Sequence, residues 1–165
     1  MHATVSSYLE EDHLRIEMAF RSATSSGDGI QPESFAQFRG ALLRHIGMEE
    51  KILFPAIRNA TAGNSLLGID QLHLDHGALA ALLVPATTAS ILGAIRAILS
   101  RHNIIEEGTD GIYRRFEQLP GIDAIGILAK LKDAPPVAMN PHVDNVISIE
   151  SMRAAVRRAG YSFDL

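Results

Sequence analysis

Leu43-Arg44-His45-Ile46-Gly47-Met48-Glu49-Glu50-Lys51-Ile52-Leu53-Phe54 sets a histidine and a glutamate one helical turn apart among leucine, isoleucine and phenylalanine, where an apolar core stripe is expected. A close echo follows at Arg101-His102-Asn103-Ile104-Ile105-Glu106-Glu107. One His-x-x-x-Glu is a weak signal, because residues i and i+4 are neighbours on any helix. Two of them, each followed by a second glutamate, predict helices that hold metal between them.

Working outward, Pro32 suits the first turn of a helix reaching to about Ala60, with Phe38, Leu42, His45, Glu49, Ile52 and Ala56 on one face. Pro55 lies inside it and predicts a bend or stop near its end. Before it, Ser7 to Ala23 reads as a first helix with Ser7 and Glu10 spaced as a capping box and Leu9, His13, Ile16 and Phe20 as its stripe. The polar stretch from Thr24 to Gly29 reads as the intervening loop. After the turn cluster Thr61–Ser65, a third helix from Leu66 to Val84 stops at Pro85, and Ile69, Leu72, His76, Leu79 and Leu83 share a face. A fourth helix from Thr88 to Gln118 carries Leu92, Ile95, Leu99, His102, Glu106, Thr109, Tyr113 and Phe116. Gly108 and Gly111 are its weak point, marking a bend or a close helix contact.

Four long helices with short connections, and no competing strand pattern, predict an all-α, antiparallel up-down-up-down four-helix bundle over residues 1–120. Residues 121–165 form a C-terminal helical extension: a short helix from Ile122 to Lys132, a proline-interrupted link, and a helix from Ser148 to Ala159 stopped by Gly160. The extension has two readings. One is a flap packed on the bundle; the other is a lid over the site or a subunit contact giving a homodimer through the last helix.

Composition narrows the chemistry. The chain has 165 residues, 47% of them hydrophobic and 21% charged, and a formal net charge of -4. That suits one domain and gives no basic footprint for nucleic acid or an anionic membrane. No run approaches about 18 apolar residues and no signal peptide is visible, so no membrane span is expected and the cytoplasm is the default compartment. There is no cysteine. Disulfides, thiolate sites and thiol nucleophiles are therefore excluded, and histidine and carboxylate remain as the strong metal ligands.

The polar core positions repeat. Asp12-His13 precedes His45-x-x-x-Glu49-Glu50 by one helix and a loop, and Asp75-His76 precedes His102-x-x-x-Glu106-Glu107 in the same order. Each hairpin thus offers one histidine from its first helix and a histidine plus a glutamate from its second. Buried carboxylates without partners are expensive, and neutral imidazoles still need hydrogen bonds. A pair of divalent or trivalent cations resolves that cost for His13, His45, Glu49, His76, His102 and Glu106 together.

The Asp-His openings and the His45-x-x-x-Glu49-Glu50 run followed by Leu53-Phe54-Pro55 resemble the hemerythrin-like, or HHE cation-binding, domain family. The resemblance spans Val5 to Leu119 and leaves out the tail. It implies a non-haem di-iron centre in a left-handed four-helix bundle, with Glu49 and Glu106 bridging two iron ions and His13, His45, His76 and His102 as terminal ligands. Oxygen-carrying members use a third-helix histidine pair spaced by four and an aspartate five residues after the fourth-helix histidine. Here His73 and His76 are spaced by three and Glu106 stands at plus four, so the chain is more similar to the bacterial branch with iron–sulfur repair and nitric-oxide-responsive members. The cysteine-bearing N-terminal domain typical of the repair proteins is missing from this sequence. His73 keeps two readings, a fifth histidine ligand or an edge residue beside a bridging glutamate.

Glu17, Glu50 and Glu107 fall off the metal face and read as solvent-facing. Tyr113 and Thr109 border the metal stripe, Tyr113 reading as core or as a donor to a bound ligand. His2 and His142 read as non-ligands. The implied partner is a small diatomic or anionic ligand such as dioxygen, nitric oxide or peroxide, bound for sensing, detoxification or iron handling. The alternatives are a di-iron or di-manganese enzyme that activates oxygen or peroxide, and an iron store or donor. Ligand type alone also admits manganese or zinc.

Overall fold

The computed structural model describes residues 4–25 and 29–165, and every regular element among them is helical. His2 and residues 26–28 of the Thr24–Gly29 loop lie outside the described residues. In chain order the elements are α1 (Val5–Thr24), α2 (Pro32–Met48), a π turn (Glu49–Leu53), α3 (Phe54–Ala60), α4 (Ile69–Leu82), α5 (Ala89–Glu107), α6 (Ile112–Glu117), α7 (Ala124–Lys132) and α8 (Val146–Arg158). Backbone contacts divide the chain into two units, Met1–Ser65 with Tyr113–Met139 and Leu66–Ile112 with Asn140–Leu165. Residues beyond 120 are therefore shared, the first part belonging to one unit and the last part to the other.

The first unit is built on the α1–α2 hairpin. Its capping box uses Thr4, not Ser7: the Thr4 hydroxyl accepts from the Ser7 N–H while the Ser7 side chain returns to the Thr4 backbone. The hydroxyl of Ser7 serves as well as the expected carboxylate of Glu10, so the helix starts a turn earlier than its apolar stripe suggests. Val5, Leu9, Ile16 and Phe20 are buried together with Asp12 and His13. Pro32 opens α2 as expected, and Phe35, Phe38, Leu42, His45 and Met48 form its inner face.

Pro55 does not end this rod, which continues through α3 to Ala60. Proline has no N–H to donate, and in an α-helix its ring would press on the carbonyl four residues back. The chain widens into a π turn just before it, with the Phe54 N–H reaching back five residues to the Glu49 carbonyl. The widened turn starts at Glu49 and leaves both Glu49 and Leu53 buried. Helix α7 packs on α1 and on this turn. Arg44 donates from Nε to the Ala134 carbonyl at 3.0 Å and from Nη2 to Leu131 at 3.3 Å and Lys132 at 3.4 Å. It thereby meets carbonyls at the negative end of α7.

In the second unit, Gly68 caps α4 with φ +106, and a Cβ there would stand 2.7 Å from the Ile105 side chain. Only glycine fits that entry. The Thr88 hydroxyl caps α5 by accepting from the Ile91 N–H. The buried stripe of α5 is Ile91, Ile95, Ile98, His102 and Glu106, one position from the expected Leu92 and Leu99, which are half-buried. The expected continuous fourth helix is broken: α5 ends at Glu107, and α6 begins only at Ile112. A Cβ at Gly111 would lie 2.2 Å from the Glu106 carbonyl oxygen, and one at Gly108 would lie 2.5 Å from that of Ile104. Of the two readings for these glycines, the bend is the one observed, and it begins just past Glu106. Helix α8 lies along α4 with Met152 and Val156 buried, so its apolar face is used within the chain. Its end is a Schellman turn, with Gly160 at φ +87 and the Tyr161 N–H on the Val156 carbonyl.

Candidate metal centre

In the first unit, α1 presents His13 and α2 presents His45 with ring centroids 4.4 Å apart. Glu49 follows one turn after His45, and its Oε2 lies 3.6 Å from His45 Nε2. His45 is 1% exposed and Glu49 0%. The orientation of His45 is set from behind, where Nδ1 lies 2.9 Å from Asp12 Oδ2. A carboxylate on Nδ1 holds the proton there and frees Nε2 as the lone-pair donor, an arrangement common to metal-bound histidines. Burial alone would raise the Asp12 carboxyl above its ordinary 3.8, but the hydrogen bond and charge of His45, with Arg15 beside it, outweigh burial and hold it lower.

The second unit repeats the arrangement. His76 on α4 and His102 on α5 have ring centroids 4.9 Å apart, and His102 Nε2 lies 3.0 Å from Glu106 Oε1. His102 Nδ1 faces Asp75 Oδ2 at 3.5 Å, as His45 faces Asp12. His76, His102 and Glu106 each bring a ligand atom within 4.8 Å of the others, and so do His13 and His45 in the first unit. His76 is 3% exposed, His102 2% and Glu106 0%. Each unit thus holds two histidines and one glutamate, all buried.

Tyr113 belongs to the first unit and meets its donors. It is fully buried, and its hydroxyl donates to Glu49 Oε1 at 2.7 Å while lying 3.3 Å from Nε2 of both His13 and His45. Sequence periodicity placed Tyr113 on the far continuation of the Glu106 stripe. The break at Gly108–Gly111 takes it off that line and into the first unit, beside Glu49. Thr109, expected on the same stripe, is exposed because it sits in the break.

The remaining candidates sort by burial. His73 is half-buried, one turn before His76. Glu17 is exposed and paired with Arg21, as expected for a solvated residue. Glu50 and Glu107 are half-buried rather than fully solvent-facing, and His142 is exposed with Nδ1 near the Val84 carbonyl. Sequence reading passed over Asp12 and Asp75 as ligand-orienting groups. Their signal was the doubled Asp-His dipeptide, but an aspartate one residue from a core histidine points about 100° away on a helix. Only the partner helix brings a histidine to it.

Tyr161, also passed over, donates to Asp75 Oδ1 at 3.0 Å. Burial, then the charge and hydrogen bond of Asp75, push its hydroxyl up to about 12 against a smaller opposing effect of Arg101.

Nitrogen and carboxylate donors without sulfur suit iron, manganese or zinc, and a cation offsets what two desolvated carboxylates otherwise cost. The residues fit the group that the repeat implied. The family model described as Hemerythrin HHE cation binding domain matches residues 4–109. No curated protein and no solved structure matches the chain.

Proposed function

The chain belongs to the hemerythrin HHE cation-binding domain family, whose fold is a four-helix bundle, and from that premise we propose that it is a non-haem iron protein holding two iron ions. His13, His45, Glu49, His76, His102 and Glu106 would hold them. Iron so held supplies open coordination positions for a small diatomic or anionic ligand such as dioxygen, nitric oxide or peroxide, in sensing, detoxification or iron handling. His73, half-buried on α4, is the candidate for a further donor.

The observation that carries this reading is the doubled set of buried donors, two histidines and a glutamate in each unit, with an aspartate behind one histidine of each. Asp12 and Asp75 would fix the tautomers of His45 and His102. Tyr113 would hold Glu49 in place through its hydroxyl and offer a phenolic proton beside the first set. Burial of these six donors below 10% exposure favours a resident metal over cargo meant for rapid release. Iron storage or donation is accordingly the weaker reading. An oxygen- or peroxide-activating enzyme is distinguished by turnover alone.

The test is an optical spectrum of the iron-loaded protein in air, then after azide and after nitric oxide. Ferric bands that shift with each ligand support the reading. A spectrum unmoved by both contradicts small-ligand binding.

A further inference from the structure

We propose that the C-terminal segment, which lies outside the residues matched to the family, is a working part of the second unit's metal site: Tyr161 and Gln71 hold the Asp75 carboxylate so that it orients His102. The inference rests on the reading that His76, His102 and Glu106 bind metal.

Asp75 is 0% exposed in a helix interior, so its carboxylate needs partners. Oδ1 receives two hydrogen bonds, from Gln71 Nε2 at 2.7 Å and from the Tyr161 hydroxyl at 3.0 Å. The same Gln71 amide donates to the Ala159 carbonyl at 3.0 Å, next to the Schellman turn that ends α8. Tyr161 is itself fixed, with Phe163 stacked at 5.6 Å and the Arg101 guanidinium 5.6 Å from its ring centroid. Both donors therefore act on one oxygen. The other, Oδ2, is left facing His102 Nδ1 at 3.5 Å.

That division of labour matters because Oδ2 has no hydrogen-bond partner while Oδ1 has two. When a cation takes the Nε2 lone pair of His102, the ring proton must sit on Nδ1, pointing at Oδ2. The few tenths of an ångström between 3.5 Å and an ordinary N–H···O bond then close without moving a helix.

The first unit solves the same problem differently. Asp12 is held by Arg15, a half-exposed cation on its own helix, at 2.9 Å. Asp12 shares its charge with a guanidinium, whereas Asp75 is met by a neutral hydroxyl and a neutral amide. The carboxylate behind His102 thus keeps more of its charge for the imidazole, and the two metal sites are inequivalent by construction.

The experiment uses the full chain loaded with zinc, which is redox-silent, with nitrogen-15 histidine NMR and competition against a chelator. Tyr161→Phe is expected to weaken one of the two zinc sites by roughly 10–100-fold and to move the ring N–H resonance of His102 while that of His45 stays in place. Gln71→Met removes the second donor and is expected to act in the same direction as Tyr161→Phe, which covers the case in which that variant folds poorly. Zinc binding and a His102 resonance unaltered by Tyr161→Phe overturn the tail's role and leave the metal reading standing. Equal weakening of both sites, tracking a lower melting temperature, overturns it too. A wild-type chain that takes up no zinc and no iron overturns the metal reading itself.

Discussion

At the residue scale, the site is a set of hydrogen-bonded orientations more than a set of ligands. His45 and His102 were legible from sequence because a histidine on an apolar stripe stands out against leucine. The groups that aim them were not. Asp12 is seen by its own helix as a neighbour of His13, and Tyr113 as a core aromatic, until packing sets each beside its partner. The Tyr113 hydroxyl on Glu49 is a buried bond to a carboxylate, a type whose removal costs about 1.5–3 kcal/mol. Tyr113→Phe is therefore expected to lower metal-free stability by that amount in urea unfolding. An unchanged urea midpoint would show that the hydroxyl holds nothing. Asp12→Asn keeps the shape and removes the charge behind His45, and is expected to weaken metal binding by roughly 10–100-fold in chelator competition.

At the element scale, helix existence was readable and helix continuity was not. The long second rod and the first hairpin follow from apolar periodicity and a proline in a first turn. The π turn at Glu49–Leu53 and the break at Gly108–Gly111 do not, because periodicity counts turns of equal width. Both irregularities adjoin a proposed ligand, Glu49 in one case and Glu106 in the other, in keeping with the frequency of such turns at functional sites. Gly111→Ala drives a Cβ into the Glu106 carbonyl, so it is expected to destabilise the fold by about 1–3 kcal/mol. Its urea midpoint falls together with metal content if the break positions Glu106. The end of α8 predicts a pH effect. Tyr161 titrates near 12 when folded, above the ordinary 10.0, so the folded chain binds the extra proton between those values. The stabilisation is full below pH 10 and is lost as pH rises through 12. Alkaline unfolding curves of Tyr161→Phe should lack this loss.

At the scale of the whole molecule, the family match and the repeat both point to cation binding. The sequence already carried the all-helical class, the doubled His-x-x-x-Glu and the likeness to the family. It did not carry the sharing of the C-terminal residues between two units, because nothing in a short amphipathic helix states which partner it will cover. Metal binding only to the folded state raises its stability by RT ln(1 + [L]/Kd), about 2.7 kcal/mol at a hundredfold excess over Kd. Iron loading should accordingly raise the melting temperature, and a chelator should return it. The most direct test of the central claim is the iron content of the chain purified from its native host, alongside His45→Ala and Glu49→Ala. The account predicts two iron ions per wild-type chain and a loss of iron in both variants. Zinc alone, or a low metal content indifferent to both substitutions, would contradict it.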